Sequence, residues 1–303
     1  MIFSQRTILS FASVPDNLPP PPPAFTALPD HAVVSLSGAD AVAFAHAQFA
    51  NDVARLGAGQ WQWNAWLTPK GRVTATFALI KRGETDLLLI VPDYRHDSLA
   101  ISLQRFIFRR KVRIEARADL CPSGTFAAPF RAYSVRIDDR GEEIELDYGG
   151  SAERRTLRIA GAAAPQTDGF VERWRASDLR HGLVRLDPSQ REQWTPQQLA
   201  LERLHAFSVR KGCYPGQEIV ARTHFLGKAK RSLALLESDT PIVAGAEVCA
   251  EGWTIGTVVS VANGGHLAAA VLPLEREAMA LTTGPASLRE IAVLDGLERP
   301  GGP

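Results

Sequence analysis

The sequence predicts an α+β fold that ends in a small antiparallel β-barrel. Up to about residue 230, short helical patterns are mixed with strand pairs joined by tight turns, which favours a largely antiparallel sheet. Beyond that point, short strands and glycines continue without any helical period. The chain has 303 residues, 45% hydrophobic and 22% charged, so it can form two or three domains with cores of their own.

The first predicted unit covers residues 31–117. It opens with a strand at 32–36 and continues with a helical pattern over 39–56. Residues 61–67 alternate as a half-buried strand, and a Pro-Lys-Gly-Arg turn leads into a second strand at 73–80, which predicts a hairpin. The remaining predicted elements are a strand at 86–91, a helix over 99–107 and a strand at 111–115.

A second α+β unit, residues 118–230, repeats this pattern in shorter form, and a β-barrel follows over residues 231–298. The second unit has predicted strands at 132–137, 144–148 and 156–160. Thr195-Pro196-Gln197-Gln198 is typical of a helix start, because Thr can cap the helix and Gln can reach back to it; we predict a helix to about Phe207. The predicted barrel strands are 232–236, 247–250, 254–261 and 267–271.

The two ends of the chain differ from these units in composition. Residues 1–30 contain five consecutive prolines, Pro19 to Pro23, and we expect a loose arm with a short polyproline II spacer. The apolar centre near the start is too weak for a signal peptide, and residues 299–303 have the composition of a disordered tail.

Composition and cysteine spacing exclude several classes of function. No apolar run reaches the roughly 18 residues of a membrane span, and the net charge of +1 gives no overall field for nucleic acid. The three cysteines have no metal-ligand spacing, so we predict no metal site, and their sparse, odd number favours a reducing compartment. We therefore expect a cytoplasmic protein.

The segment 207–231 carries the strongest chemical signal. It contains six cations and a single anion, Glu218; the cations are Arg210, Lys211, Arg222, Lys228, Lys230 and Arg231. Glycines and a proline bracket Cys213, which predicts a tight turn with an accessible thiol, and the neighbouring cations favour the thiolate form. The alternative is that Cys213 is a small buried hydrophobe beside a solvated basic face.

The run Lys211-Gly212-Cys213-Tyr214-Pro215-Gly216-Gln217-Glu218 resembles the signature of the YgfZ family, whose members are folate-binding relatives of the glycine-cleavage T protein (aminomethyltransferase). Three other segments agree in order, Ser37–Ala41, Gln48–Val53 and Leu67–Val73, and the resemblance covers about residues 30–275. It implies a T-protein-like fold, with two related α+β units and a C-terminal β-barrel around a central hole, and it implies that the cysteine loop borders that hole.

The same resemblance implies a set of functional residues. Cys213 would be the functional thiol, and tetrahydrofolate or a derivative would be the cofactor. The folate-binding residues it implies are Trp174, Lys211, Tyr214, Gln217, Glu218 and Arg222, with His31 as an additional candidate. From the residues alone, Trp174 could equally cover the edge of the core.

This chain departs from the related proteins at two places. The T protein has a pair of aspartates where this sequence has Ala75 and Thr76, and one of them is its catalytic carboxylate. Neither Ala nor Thr can carry charge or move a proton at neutral pH, which argues against aminomethyl transfer. Arg180 stands where the relatives usually have an acid that would hold the pterin.

We expect an accessory protein that binds folate and supports assembly or repair of iron–sulfur enzymes, including those that modify tRNA. Its partners would be those client enzymes and iron–sulfur carrier proteins. One alternative is a folate-dependent one-carbon transferase. Another is a direct RNA-binding module, which would depend on the cysteine segment and on a second basic run between Arg105 and Arg117.

Overall fold

The computed structural model describes residues 24–93, 96–227, 229–277 and 279–299. The strands, in chain order, are β1 (Thr26–Ala27), β2 (His31–Ser37), β3 (Gln60–Leu67), β4 (Val73–Gly83), β5 (Asp86–Pro92), β6 (Arg113–Ala116), β7 (Cys121–Thr125), β8 (Asp138–Asp139), β9 (Glu143–Asp147), β10 (Thr156–Ala160), β11 (Arg231–Ser238), β12 (Glu247–Ala250), β13 (Trp253–Ala262), β14 (Leu267–Pro273), β15 (Leu281–Thr283) and β16 (Ala286–Ile291). The α-helices are α1 (Ala41–Gln48), α2 (His96–Gln104), α3 (Phe170–Arg180) and α4 (Gln217–Phe225).

The first sheet has the strand order β3-β4-β5-β2-β6, and all of its pairs are antiparallel. Its strands were predicted close to their observed positions. One face packs on α1 and α2 through residues such as Phe44 and Phe77. The other face contributes Trp61 and Trp63 to a core shared with the second sheet and one side of the barrel.

The second sheet has the order β1-β7-β10-β9-β8 and begins earlier in the chain than we expected. Thr26 and Ala27 pair with β7, and Leu28 is fully buried, so the described part of the expected arm, residues 24–30, is packed against this sheet. Residues 1–23 lie outside the described residues. The strand expected at 132–137 is also absent from this described segment, which forms only isolated bridges such as Gln60 to Arg136.

The barrel is closed by six antiparallel strands in the order β11-β14-β13-β12-β15-β16, which confirms the predicted all-β region. Two of these strands, β15 and β16, were not predicted individually. After β16 the chain returns to the shared core, where the Trp63 indole donates to the carbonyl of Leu297 at 2.7 Å. Arg299 is buried and donates to the carbonyls of Asp147 and Gly149, so the expected tail does not begin at residue 299; residues 300–303 are not described.

The helix expected from Thr195 is a broken turn. The predicted cap does form, because the Thr195 backbone N–H donates to Gln198 Oε1 at 3.0 Å and the Gln198 N–H donates to Thr195 Oγ1 at 3.3 Å. Ala200 then adopts a left-handed φ of 52°, which ends regular α-helix, and only a 3₁₀ turn over Leu201–Leu204 follows. Among the described residues, no helix is long and apolar enough to cross a membrane.

Candidate functional site: an anchored cysteine loop beside a cavity

Cys213 lies on an exposed loop that leads into helix α4. The helix starts after Gly216, whose φ is +79° and whose Cα lies so close to the β3–β4 turn that a Cβ would come within 2.5 Å of Gly71 Cα. Only glycine fits this backbone and this contact. The thiol therefore stands on the tight, accessible turn that the sequence predicted.

Lys211 holds the start of this loop from the inside. Its ammonium group donates to the carbonyls of His46, Phe49 (2.5 Å) and Asn51 (3.2 Å), at and just beyond the end of helix α1. Carbonyls at a helix C-terminus carry partial negative charge and suit a cation. Burial nevertheless lowers the pKa of Lys211 to about 8, against a weaker opposing effect of Asp52.

Lys211 is therefore an internal anchor in this structure, since all three donors of its ammonium group are directed at backbone carbonyls. The ring of Tyr214 lies 4.9 Å from the ammonium nitrogen. A folate would have to displace these carbonyls to bind the ammonium group, so folate binding by Lys211 stays a prediction.

Tyr214 and Gln217 also hold the loop together. The Tyr214 hydroxyl donates to the carbonyl of Ser208 at 3.1 Å, and burial raises the pKa of this phenol to about 12. Gln217 Nε2 donates to the carbonyl of Lys211 at 3.0 Å. Of the motif residues implied for folate binding, Glu218 and Arg222 on α4 are the ones whose side chains are exposed.

A cavity of about 770 Å³ lies beside this loop. Its lining residues come from four parts of the chain: Asn51, Asp52 and Arg55 after helix α1; Gln62 on β3; Glu202, His205, Phe207, Ser208, Val209 and Arg210 before the cysteine; and His224 on helix α4. Arg55 and Arg210 supply positive charge, while Asp52 and Glu202 supply negative charge. The segment just before Cys213 therefore forms part of the wall of a space large enough for a small-molecule ligand.

Two amide side chains in this wall differ in whether their NH2 groups have hydrogen-bond partners. Asn51 Nδ2 donates to the carbonyls of Trp63 (2.8 Å) and His205 (2.6 Å), which joins β3 to the segment after the broken turn. Gln62 is only 1% exposed, and its Nε2 has no hydrogen-bond partner among the described residues. A buried amide without a partner costs free energy, so Gln62 is a candidate ligand contact. The sequence carries no signal for this role, because Gln62 only alternates with the tryptophans of β3.

His46 is a second residue that the sequence did not single out. A Cβ at Gly212 would lie 3.8 Å from His46 Nε2, so the imidazole sits against the cysteine loop. His46 Nδ1 accepts the N–H of Ala54 at 3.3 Å and lies 3.4 Å from Asp52 Oδ1. Burial and the charge of Lys211 lower the pKa of His46, which favours the neutral imidazole beside the loop.

Trp174 is in the core of the second unit and has no exposed surface. Its ring stacks on Tyr148 with a centroid distance of 5.7 Å, and the Arg155 guanidinium lies 4.6 Å from its centroid. Trp174 therefore does not line an open cleft in this structure, and its contact with folate stays a prediction. Its truncation would leave a hole in the core, so Trp174→Ala cannot test ligand contact.

His31 belongs to a buried charge cluster, together with Asp30, Arg155, Asp178 and Arg185. His31 Nδ1 lies 2.8 Å from Asp30 Oδ1, and its side chain has no exposed surface. Asp178 is fully buried between Arg155 and Arg185, with a nitrogen–oxygen distance of 2.6 Å to each. The cluster joins β2 to helix α3 and the segment after it, so His31 is not displayed to a ligand here.

Arg180, which replaces the acid of the related proteins, faces the barrel. Its guanidinium lies 3.5 Å from Glu237 Oε1 on β11. Ala75 and Thr76 on β4 line a narrow gap of about 20 Å³, together with Arg185 and Arg191. The lining residues of this described gap include arginines but no carboxylate.

The comparisons with known proteins agree with this fold and with the motif. The structure is similar to the glycine cleavage system aminomethyltransferase T from Bartonella henselae, with a TM-score of 0.66 and 16% sequence identity, over 92% of this chain and 88% of that one. The chain therefore has the fold of the glycine-cleavage T protein, as the resemblance implied.

In sequence, the chain is 28% identical over 266 residues to the tRNA-modifying protein YgfZ of Yersinia pestis (strain Pestoides F), which covers 78% of this chain and 79% of the relative. It is also 28% identical over 247 residues to an uncharacterized protein of Haemophilus influenzae, covering 79% and 84%. No family model matches. The chain is a homologue of proteins named tRNA-modifying protein YgfZ, which confirms the resemblance seen in the cysteine motif.

Proposed function

We propose that this protein is a YgfZ-type accessory factor that binds a reduced folate and supports the assembly or repair of iron–sulfur enzymes, including enzymes that modify tRNA. The single observation that carries the proposal is the juxtaposition of an exposed thiol with a cavity of about 770 Å³ on one anchored loop. Homology to proteins named tRNA-modifying protein YgfZ and the fold of the T protein support a role of this class.

The wall of the cavity suits the two ends of a folate. The amide of Gln62 could pair with the donors and acceptors at the edge of a pterin ring, and it is already desolvated. Arg55 and Arg210 lie in the same wall, where they could hold the carboxylates of the glutamate tail. The volume is within the usual range for small-molecule sites.

The thiol supports a carrier or docking role rather than a resident cluster. Among the described residues, no group of three or more His, Cys, Asp or Glu side chains is arranged to hold a metal ion. A single Cys213 can supply one ligand to an iron–sulfur cluster, whereas clusters are usually held by several. We therefore propose that Cys213 makes a transient attachment to a cluster or to a client protein.

The positions of Ala75 and Thr76 favour an accessory role over aminomethyl transfer. Both side chains are buried beside arginines, and neither can accept or donate a proton as a carboxylate does. We propose that folate binding serves the client enzymes rather than a one-carbon transfer by this chain.

The folate part of the proposal is tested by calorimetric titration of tetrahydrofolate under anaerobic conditions. We expect wild-type protein to bind, and Gln62→Leu to weaken binding about tenfold, because the leucine keeps the volume but removes the amide. Phe130→Ala is the matched control, since Phe130 is 89% exposed and is not among the residues lining the cavity. The absence of binding at millimolar tetrahydrofolate would overturn folate as the ligand, and equal affinity in Gln62→Leu would exclude Gln62 from the site.

A further inference from the structure

A second surface with distinctive chemistry lies between helix α2 and strand β6. We call residues 105–113 the basic loop; their sequence is Arg-Phe-Ile-Phe-Arg-Arg-Lys-Val-Arg. Five of these nine residues are cations and none is an anion. The loop belongs to the first unit, and none of its residues is among those lining the 770 Å³ cavity.

Apolar contacts and two hydrogen bonds to Asp40 attach the basic loop to the first unit. Ile107 and Val112 pack against the core of the first sheet. The Lys111 N–H donates to Asp40 Oδ2 at 2.6 Å, and the Asp40 N–H donates to the Lys111 carbonyl at 3.1 Å. Ile107 and Val112 therefore face the core, and the other side chains of the loop are exposed to solvent.

Phe108 stands at the tip of this loop with 89% of its surface exposed. The Arg110 N–H donates to the carbonyl of Ile107 at 3.0 Å and closes the turn, while Phe108 adopts a φ of 43°. This left-handed conformation is unfavourable for a bulky residue. An exposed aromatic ring gains no packing energy that would offset this strain. Strained residues of this kind are concentrated at functional sites.

The cations of the basic loop differ in their ion pairing. Among the described residues, the side chains of Arg105, Arg109, Arg110 and Lys111 have no ion-pair partner, and all four are exposed. Arg113 is paired with Glu115 at 2.6 Å. If Glu115 and Asp40 are counted with the five cations, the surface still has a net charge of +3, from 5 − 2.

We infer that the basic loop binds single-stranded nucleic acid, with a base stacked on Phe108 and phosphates held by Arg109 and its neighbours. Aromatic rings interleaved with cations are the usual means of binding unpaired strands, because every base has a face to stack and every nucleotide has a phosphate. A stable protein interface would instead need a larger apolar centre, and here Phe106 is only 36% exposed and rests against Trp66. This inference does not depend on folate or on Cys213.

The experiment is fluorescence anisotropy with a labelled, unstructured RNA of about twelve nucleotides, a DNA of the same sequence, and the duplex, measured between 50 and 200 mM salt. We expect wild type to prefer either single strand to the duplex. Phe108→Ala should weaken single-strand binding at least fivefold. The double variant Arg109→Ala/Arg110→Ala should weaken it at least tenfold and reduce the slope of log K against log salt by about 1.4, which corresponds to two lost phosphate contacts.

The matched controls are Phe130→Ala, whose ring is as exposed as that of Phe108, and Arg131→Ala beside it. Both should bind like wild type, and so should Cys213→Ser. Melting temperatures should be unchanged, because all these side chains are exposed. The ratio of RNA to DNA affinity then identifies which strand the surface prefers. Equal loss in the control variants, equal binding of the duplex, or no binding at 50 mM salt would overturn the inference.

Discussion

Two regions of this molecule each bury a positive charge, and they compensate it in different ways. Lys211, under the cysteine loop, is surrounded by three backbone carbonyls. Arg155 and Arg185, beside helix α3, share the carboxylate of Asp178, and Arg185 also reaches Asp30 at 2.5 Å. Both arrangements tie a loop or helix to a distant strand. They differ in whether the compensating group carries a full charge.

That difference decides how each region responds to pH. Burial opposes ionisation of Asp178, but the charges of Arg185 and Arg155 outweigh it and hold the pKa of this carboxyl below its ordinary value. The carboxylates of Asp178, Asp30 and Asp93 raise the pKa of Arg185 despite its burial. Carbonyl dipoles compensate Lys211 less completely, and its pKa falls. The ion cluster should therefore stay charged at neutral pH. The cysteine loop is instead anchored by Lys211, whose pKa of about 8 lies close to neutral pH.

The largest expected effect comes from removing the shared carboxylate. Asp178→Ala leaves the buried Arg155 without its carboxylate and Arg185 with only Asp30 and Asp93, and we expect a loss of about 3–5 kcal/mol in the free energy of unfolding. Urea denaturation monitored by circular dichroism measures it. Asp119→Ala breaks an ion pair with Arg117 in which Asp119 is 62% exposed, and it should leave the denaturation midpoint unchanged. Equal midpoints for both variants would show that the cluster contributes little to stability.

An intermediate effect, confined to alkaline pH, is expected at Lys211. Its pKa falls from 10.5 in the unfolded chain to about 8 in the folded protein. Between these values the unfolded chain holds a proton that the folded protein has released, so stability rises with pH across this window. Relative to Lys211→Met, wild type should gain roughly 3 kcal/mol between pH 8 and pH 10.5.

Parallel urea titrations of wild type and Lys211→Met at half-unit pH steps measure this difference, and other titrating groups cancel in the comparison. A difference that stays flat, or that falls with pH, would show that the carbonyls stabilise the ammonium form fully. In that case the carbonyls would compensate Lys211 as fully as the carboxylates compensate Arg155 and Arg185.

The smallest effect on stability is expected at Cys213. Because its side chain is exposed, Cys213→Ser should change the free energy of unfolding by less than about 0.5 kcal/mol. The same variant should fail to restore iron–sulfur-dependent tRNA methylthiolation in a strain that lacks the protein. Cys249→Ser is the control, since Cys249 lies in barrel strand β12. Full restoration by Cys213→Ser would contradict a functional role for the thiol.

The sequence predicted the elements that depend on residues close together in the chain. The alternating tryptophans of β3, the turn at Gly71 and the capping pair of Thr195 and Gln198 all lie where expected. The cysteine loop was also predicted as an accessible turn, because glycine and proline restrict the backbone without help from distant residues. The motif around it was sufficient to predict the family resemblance and, through that resemblance, the fold.

Tertiary structure decided which of the implied site residues face a ligand. Lys211 and Trp174 read alike as binding residues in the sequence, yet one is an internal anchor and the other is core. Gln62 carried no signal, although it is the buried amide without a partner in the cavity wall. The physical reason is that residue type and spacing specify which chemistry is available, whereas burial and hydrogen-bond satisfaction depend on contacts between residues far apart in the chain. The carbonyls that bind Lys211 lie about 160 residues before it in the chain, and no local sequence pattern predicts this contact.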